Sequence, residues 1–511
     1  MSTINRRDFL AATSSMVLPV MLNGFGVKAF ARNSALVNSL HEAVAANPDR
    51  ILVIIYLNGG NDGLNMAIPV EHYSRYHALR SNIAIPENKV LPLGNSKQMG
   101  LHPAMPGMQQ LYNEGKLAIV HSVSYPNPNL SHIRSTDIYM TGSDANQYAS
   151  TGWAGRYLDD RFPGYPENYP NDNMKDPLAI QIGHIASTSL LGQRQSMGVV
   201  MATPDEFYQL VGTQTNIPVD DLPCCYSGQL IKYVREQQVL SIGYGSQIKR
   251  ASEAGRNMAG YPENGNELAE QLKIVARLIH GGLQSKIYYV ELGGFDLHSG
   301  QVDGNDPVNG AHATLLSKLS GAVSAFQQDL KLQGTEDRVI GMTFSDFGRR
   351  ASSNASKGTD HGIAAPMLVF GTGIKRQNIG TNPDLANDLV PPPSSSGDNN
   401  YDIAMQIDFR RVYSDILNNW FGAESSKTDS LLFKSFKNVS LFSDVVETIN
   451  SGPWGEKSVW SHGRVPDIND LVRINRGHTI SINQNIAAKK INVDAGGELY
   501  FQGNYKVDTR E

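Results

Sequence analysis

Four short segments place acids, imidazoles and a hydroxyl where the chain turns. In NGGNDGLN, Asp62 sits among Gly59, Gly60 and Gly63, which leave room for an ion beside a carboxylate. In GGFDLHSGQ, Asp296 and His298 are two residues apart, so in an extended turn both point to one side and can reach one ion. GTDHG adds the adjacent Asp360 and His361. Together these residues offer oxygen and imidazole donors for one or two divalent ions, with zinc, manganese, magnesium and calcium all open. Taken singly, each pair is also what turns and caps use for hydrogen bonds. SYPNPNLSH brings Ser131 to the front of a helical pattern, where it reads either as an N-cap or as a nucleophile facing a helix N-terminus.

These segments need strands to carry them. Apolar runs at Ile51–Leu57, Leu117–Val123, Pro177–Ile182, Gly198–Met201, Lys286–Leu292, Arg338–Phe344 and Met367–Phe370 alternate with helical patterns around Pro103–Glu114, His132–Met140, Glu267–Ile279, His312–Leu332 and Phe409–Phe421. Several runs are continuously β-branched, as in strands covered on both faces. The alternation predicts an α/β fold with a mostly parallel central sheet flanked by helices. Ligands in such folds gather beyond the carboxyl ends of the strands, where each of the segments above falls. In DFRRVYSDILNNWFG, Asp408 reads as an N-cap, with Val412, Ile416 and Trp420 facing the sheet; His72 and His77 read as surface helix residues. His102 reads as a loop hydrogen-bonder.

Composition narrows the partners. The chain has 511 residues, 40% hydrophobic and 18% charged, with a formal net charge of −5, so it can bury a large core and has no basic excess for nucleic acid. The two cysteines, Cys224 and Cys225, are adjacent and cannot form a disulfide framework. Residues 1–31 combine Arg6-Arg7, Phe9-Leu10, a short apolar stretch and Ala29-Phe30-Ala31, which resembles a twin-arginine export signal and predicts a periplasmic or cell-surface location. The stretch is broken by Pro19, Asn23 and Gly24, and no transmembrane span is expected. The domains predicted are the signal (1–31), a main domain (45–450) and a small all-β module (452–511). In that module WSHGRVPDINDLVRI and GHTI resemble the start of G8-type or β-helix modules, implying a cell-surface protein partner.

NGGNDGLN, SYPNPNLSH, GGFDLHSGQ, SDFGRRASSNASKGTDHGIAAPMLVFG and DFRRVYSDILNNWFG together resemble the exported bacterial family known as domain of unknown function 1501, over roughly residues 51–422. That family is similar in fold to the alkaline phosphatase/sulfatase superfamily. The resemblance implies a metal-dependent hydrolase acting on an anionic small-molecule or polymer ester of phosphate or sulfate. It implies Asp62, Asp296, His298, Asp360 and His361 as metal ligands, and Ser131, His132 and Arg349 as catalytic residues, with Arg349 or Arg134 gripping the ester oxygens. Departures are the one-residue gap between Asp296 and His298, no later histidine in the main domain, and no CxPxR motif, which argues against a formylglycine sulfatase. His132, His121 or Asp346 could compensate. The alternative is a binding or assembly protein with a degenerate site and a surface-docking β tail.

Overall fold

A computed structural model describes residues 49–509, apart from positions 95, 167, 212–241, 264, 376, 392–400, 443–444, 462–464, 467 and 469, together with the backbone of a hairpin pairing Pro19–Leu22 with Phe25–Lys28. The remainder of residues 1–31, where an export signal is expected, and the Cys224-Cys225 pair lie outside the described residues.

The core is built on one sheet. Its principal strands, in chain order, are β1 (Ile51–Asn58), β2 (Leu117–Ser124), β3 (Ala179–Ile182), β4 (Gly198–Met201), β5 (Ile287–Gly293), β6 (Val339–Ser345), β7 (Ala365–Phe370) and β8 (Asn378–Ile379). Their lateral order is β8-β2-β7-β6-β1-β5-β3-β4, and Ile407–Asp408 also pairs with β2. All pairings are parallel except those of β7, which runs antiparallel to both β2 and β6. β1 lies between β6 and β5, and every residue from Ile51 to Leu57 is buried, so the unbroken apolar run reports cover on both faces. Each such side chain contributes roughly 1.5–3 kcal/mol of burial.

The principal helices are α1 (Pro106–Asn113), α2 (His132–Thr141), α3 (Trp153–Arg161), α4 (Glu267–His280), α5 (Ala311–Gln333) and α6 (Phe409–Asp415), the last continuing as a π-turn to Trp420. α4 and α1 both pack on α5, where Gly107 lets α1 approach: a Cβ there would lie 2.6 Å from that of Ser324. α2, α3 and α6 interlock through rings, Tyr139 with Phe409 and Trp153 with Tyr413 at centroid distances of 4.3 Å each. Asp408 caps α6, accepting from the Arg410 amide at 3.0 Å, and Val412, Ile416 and Trp420 are buried. No helix among the described residues is long and apolar enough to cross a membrane.

Toward the C-terminus the chain coils into parallel rungs. Strands β9 (Val445–Glu447), β10 (Gly452–Pro453), β11 (Leu471–Ile474), β12 (Thr479–Ile482), β13 (Ile486–Ala488), β14 (Lys490–Val493), β15 (Glu498–Phe501) and β16 (Val507–Thr509) make three small parallel sheets, β9-β11-β14, β10-β12-β15 and β13-β16. Their inward residues, among them Trp454, Trp460, Val472, Ile480 and Ile482, form a core of their own.

Candidate functional site

Loops at the carboxyl ends of β1, β2, β5 and β6 converge. Gly59 makes the approach possible: with φ +120 and a position where a Cβ would lie 2.4 Å from the Asp296 amide nitrogen, only glycine fits between the loops after β1 and β5. The segment after β2 reaches Ser131 and the start of α2; the segment after β6 brings Asp346 and Arg349 and returns with Asp360 and His361.

At the centre is Asp296 Oδ1. His298 Nε2 lies 3.2 Å from it, His361 Nε2 3.4 Å and His132 Nε2 3.5 Å, while the Nε2 atoms of His298 and His361 are 2.9 Å apart. The other nitrogen of each ring faces an oxygen: His132 Nδ1 meets Asp346 Oδ2 at 2.5 Å, His298 Nδ1 meets Asp360 Oδ1 at 3.1 Å, and His361 Nδ1 meets the Leu130 carbonyl at 2.8 Å. A carbonyl or carboxylate oxygen only accepts, so each Nδ1 carries a proton, and in the neutral ring each Nε2 then turns a lone pair inward. In that form the lone pairs and the carboxylate oxygen repel unless a cation sits among them. Among the described residues the buried His132 Nε2 has no hydrogen-bond partner.

The donor set therefore fits a metal ion. Bonds of about 2.0–2.1 Å to imidazole nitrogen and carboxylate oxygen place tetrahedral ligand atoms about 3.3–3.4 Å apart, close to the distances from Asp296 Oδ1 to the three Nε2 atoms. His132, Asp296 and His361 have ligand atoms all within 4.8 Å of one another, and His298 Nε2 lies beside two of them, Asp296 and His361. The carboxylate and carbonyl behind each imidazole are the outer partners that fix ligand orientation.

Burial pushes the Asp296 carboxyl up, but its hydrogen bond and charge attraction to Arg349, with His132 and His298 adding, hold it below the usual range. Burial pushes His361 down, as do the charges of Arg349, His132 and His298, which favours the neutral ligand form over the opposing pull of the Leu130 carbonyl. Asp346 is fully buried; beyond His132, its Oδ1 accepts from Tyr56 Oη at 2.8 Å and the Gly59 amide at 3.1 Å.

Several sequence candidates stand elsewhere. Asp62 is buried away from this group: both its oxygens accept from Arg80 Nη1 at 2.8 Å, and Gln301 Nε2 donates at 2.7 Å. Asp360 orients His298 and is not among the converging ligand atoms. Arg349, expected to grip ester oxygens, is buried and donates to the carbonyls of Gly60 (2.6 Å), Thr359 (2.7 Å), Phe295 (3.2 Å) and Gly59, and to Asp296 Oδ1 (2.7 Å). Arg134 is likewise spent on Asp137 and on the carbonyls of Asp144, Ala145 and Gln147. His132, expected in catalysis, joins the ligand cluster. His121 is buried in β2 and pushed by burial to about 4, and His102 to about 3, with His312 adding to burial there.

Ser131 does occupy the N-cap of α2, but its side chain makes no capping hydrogen bond, and it is exposed between Leu130, which holds His361, and His132. Arg80 is the residue the sequence did not single out. Its signal is its spacing: it lies four residues after the buried Tyr76, at the C-cap of the helix Tyr73–Leu79 whose His77 is exposed.

Residues 240–432 match the family described as "Protein of unknown function (DUF1501)". The matched span contains Asp296, His298, Asp346, Arg349, Asp360 and His361, whereas Asp62, Arg80, Ser131 and His132 precede it. No curated protein matches the sequence. Among solved structures, the chain is similar to a protein in the alkaline phosphatase superfamily from Vibrio parahaemolyticus (11% identity, TM-score 0.29, 66% of this chain and 65% of that one). It is also similar to the lipoteichoic acid synthase LtaP from Listeria monocytogenes (12%, 0.32, 76% and 77%). A third is the PsFucS1 sulfatase from Pseudoalteromonas sp. (12%, 0.30, 70% of each).

Asp402 is buried, and neither of its carboxylate oxygens has a hydrogen-bond partner among the described residues. Burial pushes its carboxyl up to about 7, against the pull of Arg350. A carboxyl whose folded pKa is raised keeps its proton in the folded chain while the unfolded chain has lost it, so stability falls as pH rises from the ordinary carboxylate range through 7. Asp402→Asn removes that loss. Urea midpoints at pH 5 and pH 8 should show wild type falling behind the variant at pH 8 by roughly 2–4 kcal/mol; parallel midpoints at both pH values would refute the assignment.

Proposed function

We propose that the protein is an exported hydrolase of phosphate or sulfate esters that works with one divalent cation held by His132, His298, His361 and Asp296. The observation that carries this reading is the convergence of three Nε2 atoms on Asp296 Oδ1, with each Nδ1 fixed by an oxygen acceptor. An imidazole-rich set favours zinc over magnesium or calcium. A cation held there would supply Lewis-acid chemistry and offset the charge of an anionic ester in an acidic protein. Engagement of Asp62 by Arg80 supports one ion per chain rather than two.

Ser131 stands one residue before a ligand, at the N-terminus of α2, where free backbone amides and the helix dipole favour developing negative charge. Its hydroxyl loses its proton and its oxygen bonds to phosphorus or sulfur. The ester O–P or O–S bond breaks, and the leaving alkoxide takes up a proton. Water repeats the displacement and frees the serine. Export rests on Arg6-Arg7 and the small-residue end at Ala31, and periplasmic recovery that is lost in Arg6→Lys/Arg7→Lys would support it.

One observation favours a binding role instead: Arg349 and Arg134 are both consumed by the protein's own carbonyls and acids. Assay of metal-replete protein on aryl phosphate and aryl sulfate separates the readings. Turnover that disappears in Ser131→Ala with the metal retained supports the hydrolase. No turnover of either ester by protein holding one equivalent of metal would leave the binding reading, and unchanged turnover in Ser131→Ala would remove Ser131 from its role.

A further inference from the structure

The sheet has a second pole. The amino ends of β1 and β5 are preceded by Asp49-Arg50 and by Gln284–Lys286, and a cavity of about 190 Å³ opens there, at the opposite end of these strands from the metal candidates. Arg50, Arg161 and Lys286 line it against one acid, Asp49. Arg50 is pinned: its Nη1 donates to the carbonyls of Asn419 at 3.0 Å and Trp420 at 2.6 Å, and its guanidinium carbon lies 4.6 Å from the centre of the Trp420 ring. Its Nε and Nη2 have no hydrogen-bond partner among the described residues. Arg161, exposed in the last turn of α3, makes no ion pair among the described residues.

Burial pushes the Lys286 ammonium down; Asp49 and Asp176 oppose this, and Arg338 and Arg161 add to it. An oxyanion in the cavity could accept from the unused Arg50 nitrogens and from Arg161. One wall carries rings, with Tyr157 stacked on Phe421 at 4.8 Å between centroids and Phe162 beside them, while Asn173 and Gln284 add polar groups. The volume is below the range of drug-sized ligand pockets, so the occupant is small.

We propose that this cavity binds a small anion with a phosphoryl or carboxylate head and a flat apolar body, independently of the metal centre. Phenylphosphonate, whose C–P bond an ester hydrolase does not cleave, is the probe, titrated calorimetrically into metal-replete full-length protein and into His298→Gln. Binding at one site should persist in His298→Gln, weaken with salt, and weaken at least about tenfold in Arg161→Gln, whose exposed side chain can be changed without disturbing the core. Lys286→Gln should weaken it further when added to Arg161→Gln. The proposal is overturned if no phenylphosphonate binds, if binding disappears in His298→Gln, or if it is unmoved in both arginine and double variants. Inorganic phosphate serves as the comparison: weaker binding than phenylphosphonate supports the flat body, and equal binding removes that part of the proposal.

Discussion

Asp296→Ala is expected to abolish the divalent-ion binding proposed above. Asp296 Oδ1 is the point on which three imidazole nitrogens converge at 3.2–3.5 Å, and removing it leaves three neutral donors with no charge to hold a cation near the surface. Metal content after dialysis should fall from about one equivalent of zinc per chain to under about a tenth. The more telling comparison is Asp346→Asn. Of the clustered donors Asp346 touches only His132, through Nδ1, so its loss should weaken zinc about 10–100-fold, the usual cost of removing an outer partner, without abolishing the site. Competition against a chromophoric chelator gives both affinities. Wild-type affinity in Asp296→Ala would exclude the centre described here.

Arg80→Met will unfold the protein more readily than any surface change. Its guanidinium is buried; Nη1 takes both oxygens of Asp62 and Asn65 Oδ1, Nη2 the Arg350 carbonyl and Nε the Ala351 carbonyl. Deleting it strands a buried carboxylate beside two orphaned carbonyls, at a cost of about 3–5 kcal/mol. Burial pushes the Asp62 carboxyl up, but the charges of Arg80 and His312 and the hydrogen bonds from Arg80 and Gln301 bring it below the ordinary range. Its contribution is therefore present above the unfolded carboxylate pKa and lost as pH falls below it. Asp62→Asn/Arg80→Met should recover part of the loss in urea denaturation, because the stranded charge is gone; a double variant as unstable as Arg80→Met would show that the charge is not the cause.

How much of this was legible beforehand follows from what each residue has to do. β1 was plain because a central strand covered on both faces is a continuous apolar run, and β11, β12, β14 and β15 because alternation between turn residues marks small-sheet strands. The reversed direction of β7 was not, since apolar pattern carries no information on strand polarity. Asp296, His298 and His361 were found as chemistry-bearing residues at strand ends. Whether such a residue is a ligand or the partner of one depends on rotamer and on loops far apart in sequence, which is why Asp360 and Asp62 took other positions and His132 moved into the cluster. Arg349 shows the same limit: spacing marks a cation near a site but cannot show that three loops already hold its donors.

That arrangement governs how the site can move. One guanidinium, buried and branched, bonds the backbone after β1, the backbone and carboxylate after β5, and the backbone before His361. A loop that swung outward alone would abandon its share of a charged donor that water cannot reach, so opening is an all-or-none event with a steep free-energy cost and not a sequence of small excursions. Ligands therefore meet a receptor set before they arrive. A ligand that matched that shape poorly would need the joint release of the loops at Gly59–Gly60, Phe295–Asp296 and Thr359.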